Sequence, residues 1–88
     1  MAQASRAPGR LQPTDERILH LLDTEGMQVR LDIEQQLSLS GLVTARHCRS
    51  LADRGLVRNS NWCCYEITEH GRQCLRANSV LNVLRRSS

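Results

Sequence analysis

Two arginines, Arg46 and Arg49, are the residues of this 88-residue chain best suited to bind a ligand through their side chains. The planar guanidinium group can donate paired hydrogen bonds to a phosphate or to the O6 and N7 edge of guanine. Ser40 adds a hydroxyl at the start of the same predicted helix, where free backbone N–H groups attract anions. The set predicts a surface for phosphates and guanine edges, and the alternative is an ordinary solvated helix face.

The helix that carries these side chains is predicted over residues 41–54. Ser40 is a suitable N-cap, and Gly55 is a natural left-handed stop. Successive residues turn by about 100° around a helix, so the buried and exposed sides can be assigned from the sequence. The buried side carries Thr44, Cys48 and Leu51, and the opposite side carries Leu42, Arg46 and Arg49.

The other elements are predicted around this helix in a defined order. A first helix covers residues 15–24, with Thr14 as N-cap and Gly26 as its end, and a short strand at 27–29 follows. A second helix runs from 30 or 31 to 37, and a turn over 37–40 leads into the helix 41–54. Strands at 56–59 and 63–67 form a hairpin with its turn at 59–61, and Thr68 caps a last helix over 69–86. The fold class is therefore α+β, mainly helical.

The last predicted helix carries small and apolar residues at steps of three, four and three. Such a heptad seam is typical of helices that pair with one another. The seam on a terminal helix therefore predicts a homodimer, with Cys74, Ala77, Leu81 and Leu84 as its dimerisation residues.

Composition and charge narrow the class of protein. Hydrophobic residues make up 40% and charged residues 24%, which is typical of a folded globular chain. All 12 basic residues are arginine and the net charge is +3, which suits a nucleic-acid partner but fits Arg-rich codon usage equally well. Because the sequence has neither a long apolar run nor a secretory signal, we expect a cytoplasmic protein that does not enter a membrane.

Four cysteines and three histidines raise the question of a metal site. There is no C-x-x-C pair, and Cys63 and Cys64 are adjacent on a strand, so zinc is not predicted. His70 and Cys74, one helical turn apart, are the best metal fragment, but buried cysteines commonly act as small hydrophobic residues. A redox alternative is a disulfide between Cys74 and its symmetry mate. No catalytic residue set or nucleotide motif is present, so neither an enzyme nor a cofactor is expected.

Three stretches of the sequence resemble winged helix-turn-helix transcriptional regulators, and within them the archaeal group similar to the repressor of halophage phi-H. They read TDERILHLLDTEG, TARHCRSLADRGLV and YEITEHGRQCL. The resemblance implies that helix 41–54 enters the major groove, that the hairpin, or wing, touches the backbone or minor groove, and that the last helix pairs two subunits. The implied DNA-binding residues are Ser40, Leu42, Val43, Arg46 and Arg49 on the helix, and Arg58, Asn59, Ser60, Asn61 and Trp62 in the wing.

The chain departs from the regulator pattern at two places. Ser38 stands where the turn of such proteins often has glycine, and the wing tip lacks a basic residue. The predicted organisation is a flexible arm at 1–13, a DNA-binding domain at 14–68 and a dimerisation helix at 69–86. The predicted function is sequence-specific binding of double-stranded DNA by a repressor. The competing hypothesis is a winged-helix adaptor that binds another protein, and Arg46 and Arg49 favour DNA over it.

Overall fold

The structure is a computed structural model that describes residues 11–61 and 64–87, with the side chains of all of these except 61 and 81–87. Four helices and three short strands follow the predicted order. They are α1 (Pro13–Glu25), β1 (Gln28–Val29), α2 (Arg30–Leu37), α3 (Gly41–Asp53), β2 (Val57–Asn61), β3 (Cys64–Ile67) and α4 (Glu69–Ser87). The predicted α+β class, mainly helical, is confirmed. None of these helices is both long and apolar enough to cross a bilayer.

The strands form an antiparallel sheet in the order β1, β3, β2. Gln28 of β1 pairs with Tyr65 of β3, so the short first strand joins the wing. The predicted turn at 59–61 is wrong, because these residues continue β2 as far as Asn61. Asn59 pairs with Tyr65 and Asn61 with Cys64, so Ser60 is an extra residue in β2, a β-bulge. A bulge lets a segment of weak strand formers remain in the ladder.

The start of α1 also differs from the prediction. The N-cap is Gln12 rather than Thr14, and Pro13 occupies the first turn, where its missing N–H costs nothing. The Asp15 carboxylate accepts a hydrogen bond from the Gln12 N–H at 3.2 Å, which satisfies a donor at the helix end. Leu11, just before the helix, is buried in the core. Burial of Leu11 and Asp15 moves the helix start toward the N-terminus.

The core lies between α1, α2, α3 and the sheet. Ile18, Leu22, Ile33, Leu51 and Leu56 are among its fully buried side chains. Each contributes about 1.5–3 kcal/mol through removal of apolar surface from water. On α3 the predicted inward residues, Thr44, Cys48 and Leu51, are all fully buried. The predicted phase of this helix is therefore confirmed.

The start of α4 is joined closely to the turn after α3. The Thr68 hydroxyl accepts a hydrogen bond from the Gly71 N–H at 3.0 Å, as a helix cap does, and lies 2.7 Å from the Gly55 carbonyl, to which it donates. The Thr68 N–H donates to the Leu56 carbonyl at 3.1 Å. Gly71 faces that same carbonyl across a gap with no room for a Cβ atom. These contacts hold the end of α3 and the start of α4 together.

Candidate nucleic-acid interface

The outward face of α3 projects from the folded core. Leu42 is 70% exposed, Arg46 and Arg49 are exposed, and Val43 is half-buried. Buried Thr44, Cys48 and Leu51 hold the opposite side of the helix. The structure therefore brings Leu42, Arg46 and Arg49 together on one accessible surface, as predicted from the helical period.

The arginines on this face differ from the other arginines of the described ranges. Arg46 and Arg49 make no ion pair or hydrogen bond to another described side chain or carbonyl. The six others whose side chains are described each contact a carboxylate or carbonyl of the protein; they are Arg17, Arg30, Arg54, Arg58, Arg72 and Arg76. The donors of Arg46 and Arg49 are thus available for an external acceptor.

The start of α3 has two polar groups that bear on anion binding. The Ser40 hydroxyl caps the helix by accepting from the Val43 N–H at 3.2 Å, which confirms Ser40 as N-cap and leaves its hydrogen free to donate. The Glu34 carboxylate lies next to Gly41 and pairs with Arg30 at 3.2 Å. Because the negative charge of this carboxylate offsets part of the positive potential at the start of α3, it weakens the attraction of a phosphate to that end of the helix.

The basic residue of the wing is engaged within the wing. Arg58 Nε donates to Glu66 Oε2 at 2.9 Å, and the Ser60 hydroxyl donates to the same oxygen at 2.9 Å. The Ser60 hydrogen bond, followed by that of Arg58, lowers the pKa of Glu66 below its ordinary value. The Glu66 charge offsets that of Arg58, which supports the expectation of a weakly basic wing. Asn59 is exposed, whereas the Asn61 side chain and Trp62 lie outside the described part.

A polar cluster behind α3 was not predicted as part of the site. Asp15 of α1 is 3% exposed, and its Oδ1 accepts a hydrogen bond from His47 Nδ1 at 2.7 Å. Arg54, two helical turns beyond His47, approaches the other carboxylate oxygen at 3.7 Å. His47 was not among the residues that the helical period assigned to the buried or the exposed side of α3. A single sequence gives no sign that it meets a residue 32 positions away.

Solved structures of similar shape decide the architecture. The chain matches a MarR-family transcriptional regulator from Streptomyces coelicolor with a TM-score of 0.74 and 24% identity, over 82% of this chain and 54% of that one. It matches the Zalpha domain of PKZ from Carassius auratus, solved in complex with Z-DNA, with a TM-score of 0.60 and 23% identity, over 62% of this chain and 92% of that one. The chain has the winged helix-turn-helix fold.

A third winged-helix structure is similar over nearly the whole chain. It is a variant of ZitR from Lactococcus lactis in complex with DNA, with a TM-score of 0.71 and 19% identity, over 93% of this chain and 63% of that one. The chain thus spans less than two thirds of the length of these two bacterial proteins. No protein-family model matches the chain, and a comparison with curated proteins finds no match. At these identities the likeness shows the winged-helix fold alone.

The predicted dimerisation residues lie on the last helix of the winged-helix fold, with different degrees of exposure. Cys74 is half-buried and packs against the core of its own chain, whereas Ala77 is exposed. The side chains of Leu81 and Leu84 lie outside the described part. In α4, therefore, the seam is described at only two of its four predicted positions.

Cys48 is buried in the core, and Cys74 packs against it. Cys48 and Cys74 are free thiols. Burial raises the pKa of the Cys48 thiol to about 11, so the reactive thiolate is disfavoured there. No three His, Cys, Asp or Glu side chains of the described ranges form a group that could hold a metal ion. Cys63 lies outside those ranges.

Proposed function

We propose that this chain is a sequence-specific transcriptional regulator that binds double-stranded DNA through α3, and that it acts as a repressor by occupying an operator. One observation carries the proposal. Arg46 and Arg49 share the exposed face of α3 and make no ion pair or hydrogen bond to a described group, whereas the other arginines whose side chains are described are paired. An α-helix fits the major groove, and unpaired guanidinium groups suit guanine edges and phosphates.

Each residue of this face has a proposed role. Arg46, at the centre of the face, donates two hydrogen bonds to guanine, an interaction worth about 1–3 kcal/mol of discrimination. Arg49, one turn later, holds a phosphate, as does the Ser40 hydroxyl. Leu42 or Val43 packs against a thymine methyl group. The wing residues Arg58, Asn59, Ser60, Asn61 and Trp62 lie near the DNA and contribute shape more than charge.

The proposal includes a homodimer joined through α4, with Cys74, Ala77, Leu81 and Leu84 as its seam. Two α3 helices would then read major grooves about 34 Å apart, so the operator is an approximate inverted repeat. The chain divides accordingly into an N-terminal arm, a DNA-binding domain that covers residues 14–68 and also includes the buried Leu11 and the start of α1, and a dimerisation helix at 69–86. The quoted sequence stretches support placing it with regulators similar to the phage phi-H repressor, and such a function is carried out in the cytoplasm.

The decisive experiment is selection of bound sequences from a random pool of DNA duplexes. The wild type is expected to enrich an inverted repeat containing guanine. Arg46→Ala should fold normally and lose that preference. Arg76→Ala is the matched control, because it removes the same charge from an exposed position on α4 while leaving α3 unchanged. Retention of full preference by Arg46→Ala would remove Arg46 from the reading role.

Salt dependence separates the role of Arg49 from that of Arg46. Binding to phosphates releases counterions, so affinity should fall steeply as salt concentration rises. Arg49→Ala should weaken binding to selected and scrambled duplexes alike and reduce the slope of log affinity against log salt by about 1. A salt-insensitive complex would contradict the DNA-binding proposal.

The second candidate function is a protein-interaction adaptor. Exposed Leu42 on the α3 face favours it, as does the pairing of Arg58 with Glu66, since both reduce the fit of the surface to a polyanion. Failure of the wild type to enrich any DNA sequence would favour the adaptor.

A further inference from the structure

One buried carboxylate joins the first helix to the back of α3. Asp15, in the first turn of α1, is 3% exposed and accepts hydrogen bonds from the Gln12 N–H and from His47 Nδ1. Arg54, at the end of α3, lies 3.7 Å from the same carboxylate. His47 and Arg54 are two helical turns apart and therefore share one face of α3. A single acidic side chain thus reaches two points along the helix.

Burial of a carboxylate is costly unless hydrogen bonds and opposite charges compensate it, so its partners are closely constrained. The 2.7 Å separation of His47 Nδ1 and Asp15 Oδ1 is that of a short hydrogen bond. Because a carboxylate oxygen accepts, Nδ1 carries the proton, and this bond fixes the plane of the imidazole ring.

Along the middle of α3, the other buried residues offer little directional restraint. Cys48 and Leu51 pack through apolar contacts, which do not depend strongly on direction. Thr44 is fully buried, but its hydroxyl has no hydrogen-bond partner among the described groups. A hydrogen bond, in contrast, weakens when its angle changes. The contact of His47 with Asp15 is therefore suited to resist rotation of α3 about its own axis.

Such a rotation would be felt directly at Arg46, which is adjacent to His47. The guanidinium group of an extended arginine lies about 9 Å from the helix axis, so a rotation of about 10° displaces it by about 1.5 Å. A displacement of that size exceeds what a bidentate contact to guanine tolerates, since its hydrogen bonds span about 2.7–3.2 Å.

We propose that Asp15 and His47 are positioning residues that fix the rotation of α3 and thereby set the direction in which Arg46 projects. This inference rests on the proposed function for its effect on DNA, although the restraint on α3 itself does not. Asp15 and His47 need not touch DNA. Through them, discrimination between DNA sequences depends on a hydrogen bond between α1 and α3.

The first arm of the test compares DNA discrimination among three variants. His47→Leu removes the donor, His47→Asn keeps an amide donor near the position of Nδ1, and His20→Leu removes an exposed imidazole from α1 as the matched control. The readout is the ratio of affinities for the selected duplex and for a scrambled duplex. His47→Leu should lower this ratio about tenfold, within the range for one bidentate contact, and leave scrambled-duplex affinity unchanged. His47→Asn and His20→Leu should behave as the wild type does.

The second arm needs no DNA. Residual dipolar couplings of backbone amides, measured by NMR on the free protein, report the orientation of α3 relative to α1. His47→Leu should change or average this orientation, and His47→Asn should restore it. An unchanged orientation in His47→Leu would overturn the proposal, as would failure of His47→Asn to restore it.

The two arms also separate this inference from the proposed function. If the wild type does not discriminate between duplexes, the proposed function fails, while the couplings still decide whether Asp15 and His47 restrain α3. If His47→Leu loses discrimination with unchanged couplings, His47 contacts DNA directly and the positioning role is refuted.

Discussion

Replacement of Gly71 by alanine would measure how closely α4 approaches the turn after α3. Gly71 is buried in the first turn of α4 and faces the Leu56 carbonyl. A Cβ atom added there would lie 2.8 Å from Ile67 Cγ1 and closer still to the Leu56 carbonyl oxygen. The carbonyl belongs to the backbone, so relief of the clash requires α4 to move away from the turn.

Opposing effects determine how much Gly71→Ala changes the free energy of unfolding. Alanine is favoured over glycine within a helix by about 1 kcal/mol. Overpacking of a filled site costs about 1–3 kcal/mol. Movement of α4 would also weaken the two bonds that Thr68 donates to this turn, from its N–H to the Leu56 carbonyl at 3.1 Å and from its hydroxyl to the Gly55 carbonyl at 2.7 Å. Each contributes about 1 kcal/mol. The net expectation is a decrease of about 3 kcal/mol in the free energy of unfolding, a large part of the stability of a small domain.

Urea unfolding followed by circular dichroism measures this decrease. The midpoint for Gly71→Ala should fall while the slope with denaturant stays unchanged. Ala77→Gly is the control, because Ala77 is exposed on the same helix and reports the difference between alanine and glycine without a clash. If Gly71→Ala instead raises the midpoint, as helix propensity alone predicts, the argument from close packing is refuted.

Three further substitutions probe other local features. Ser38→Gly should raise the free energy of unfolding by about 0.5–1 kcal/mol in urea titrations, because Ser38 has a left-handed backbone with φ of 56°. Thr44→Val should raise it by about 1 kcal/mol, since it removes a buried hydroxyl without a described partner; a loss would show that the hydroxyl is bonded. Ser60→Ala should move the pKa of Glu66 upward toward 4.5 in an NMR titration of its carboxyl carbon. Because the pKa of Glu66 in the folded protein is lower than its ordinary value of 4.5, the stabilisation by Ser60 is present above pH 4.5. It is lost as the pH falls through the pKa of the folded protein.

The elements that follow local rules were predictable from the sequence. Helix α3 combines a Ser40 cap, a clear helical period and a stop at Gly55, and all three signals lie within the helix or next to it. The length of β2 in the wing was less predictable, because it depends on how β2 pairs with β3. Asn59 and Asn61 favour turns in isolation, yet the ladder with Tyr65 and Cys64 keeps them in β2 and places a bulge at Ser60.

The candidate site also contains residues that the sequence predicts and contacts that it does not. Arg46 and Arg49 could be assigned to the outward face because the helical period determines it. The contact of Asp15 with His47 could not, since it depends on the packing of α1 against α3. The observed start of α1 is likewise at Pro13 rather than at the predicted Asp15. Contacts distant in sequence set the fine geometry that the periodic pattern leaves open.

The junction of Thr68 and Gly71 with the end of α3 gives α4 a mechanical consequence. A helix of 19 residues is about 28 Å long, so a tilt of about 5° at its base moves its far end by about 2.5 Å. Because its base is fastened to Gly55 and Leu56, such a tilt is shared with α3. In a dimer joined through α4, the angle between the two α4 helices would therefore set the distance between the two α3 helices. That distance would determine which spacing of DNA half-sites the dimer can bind.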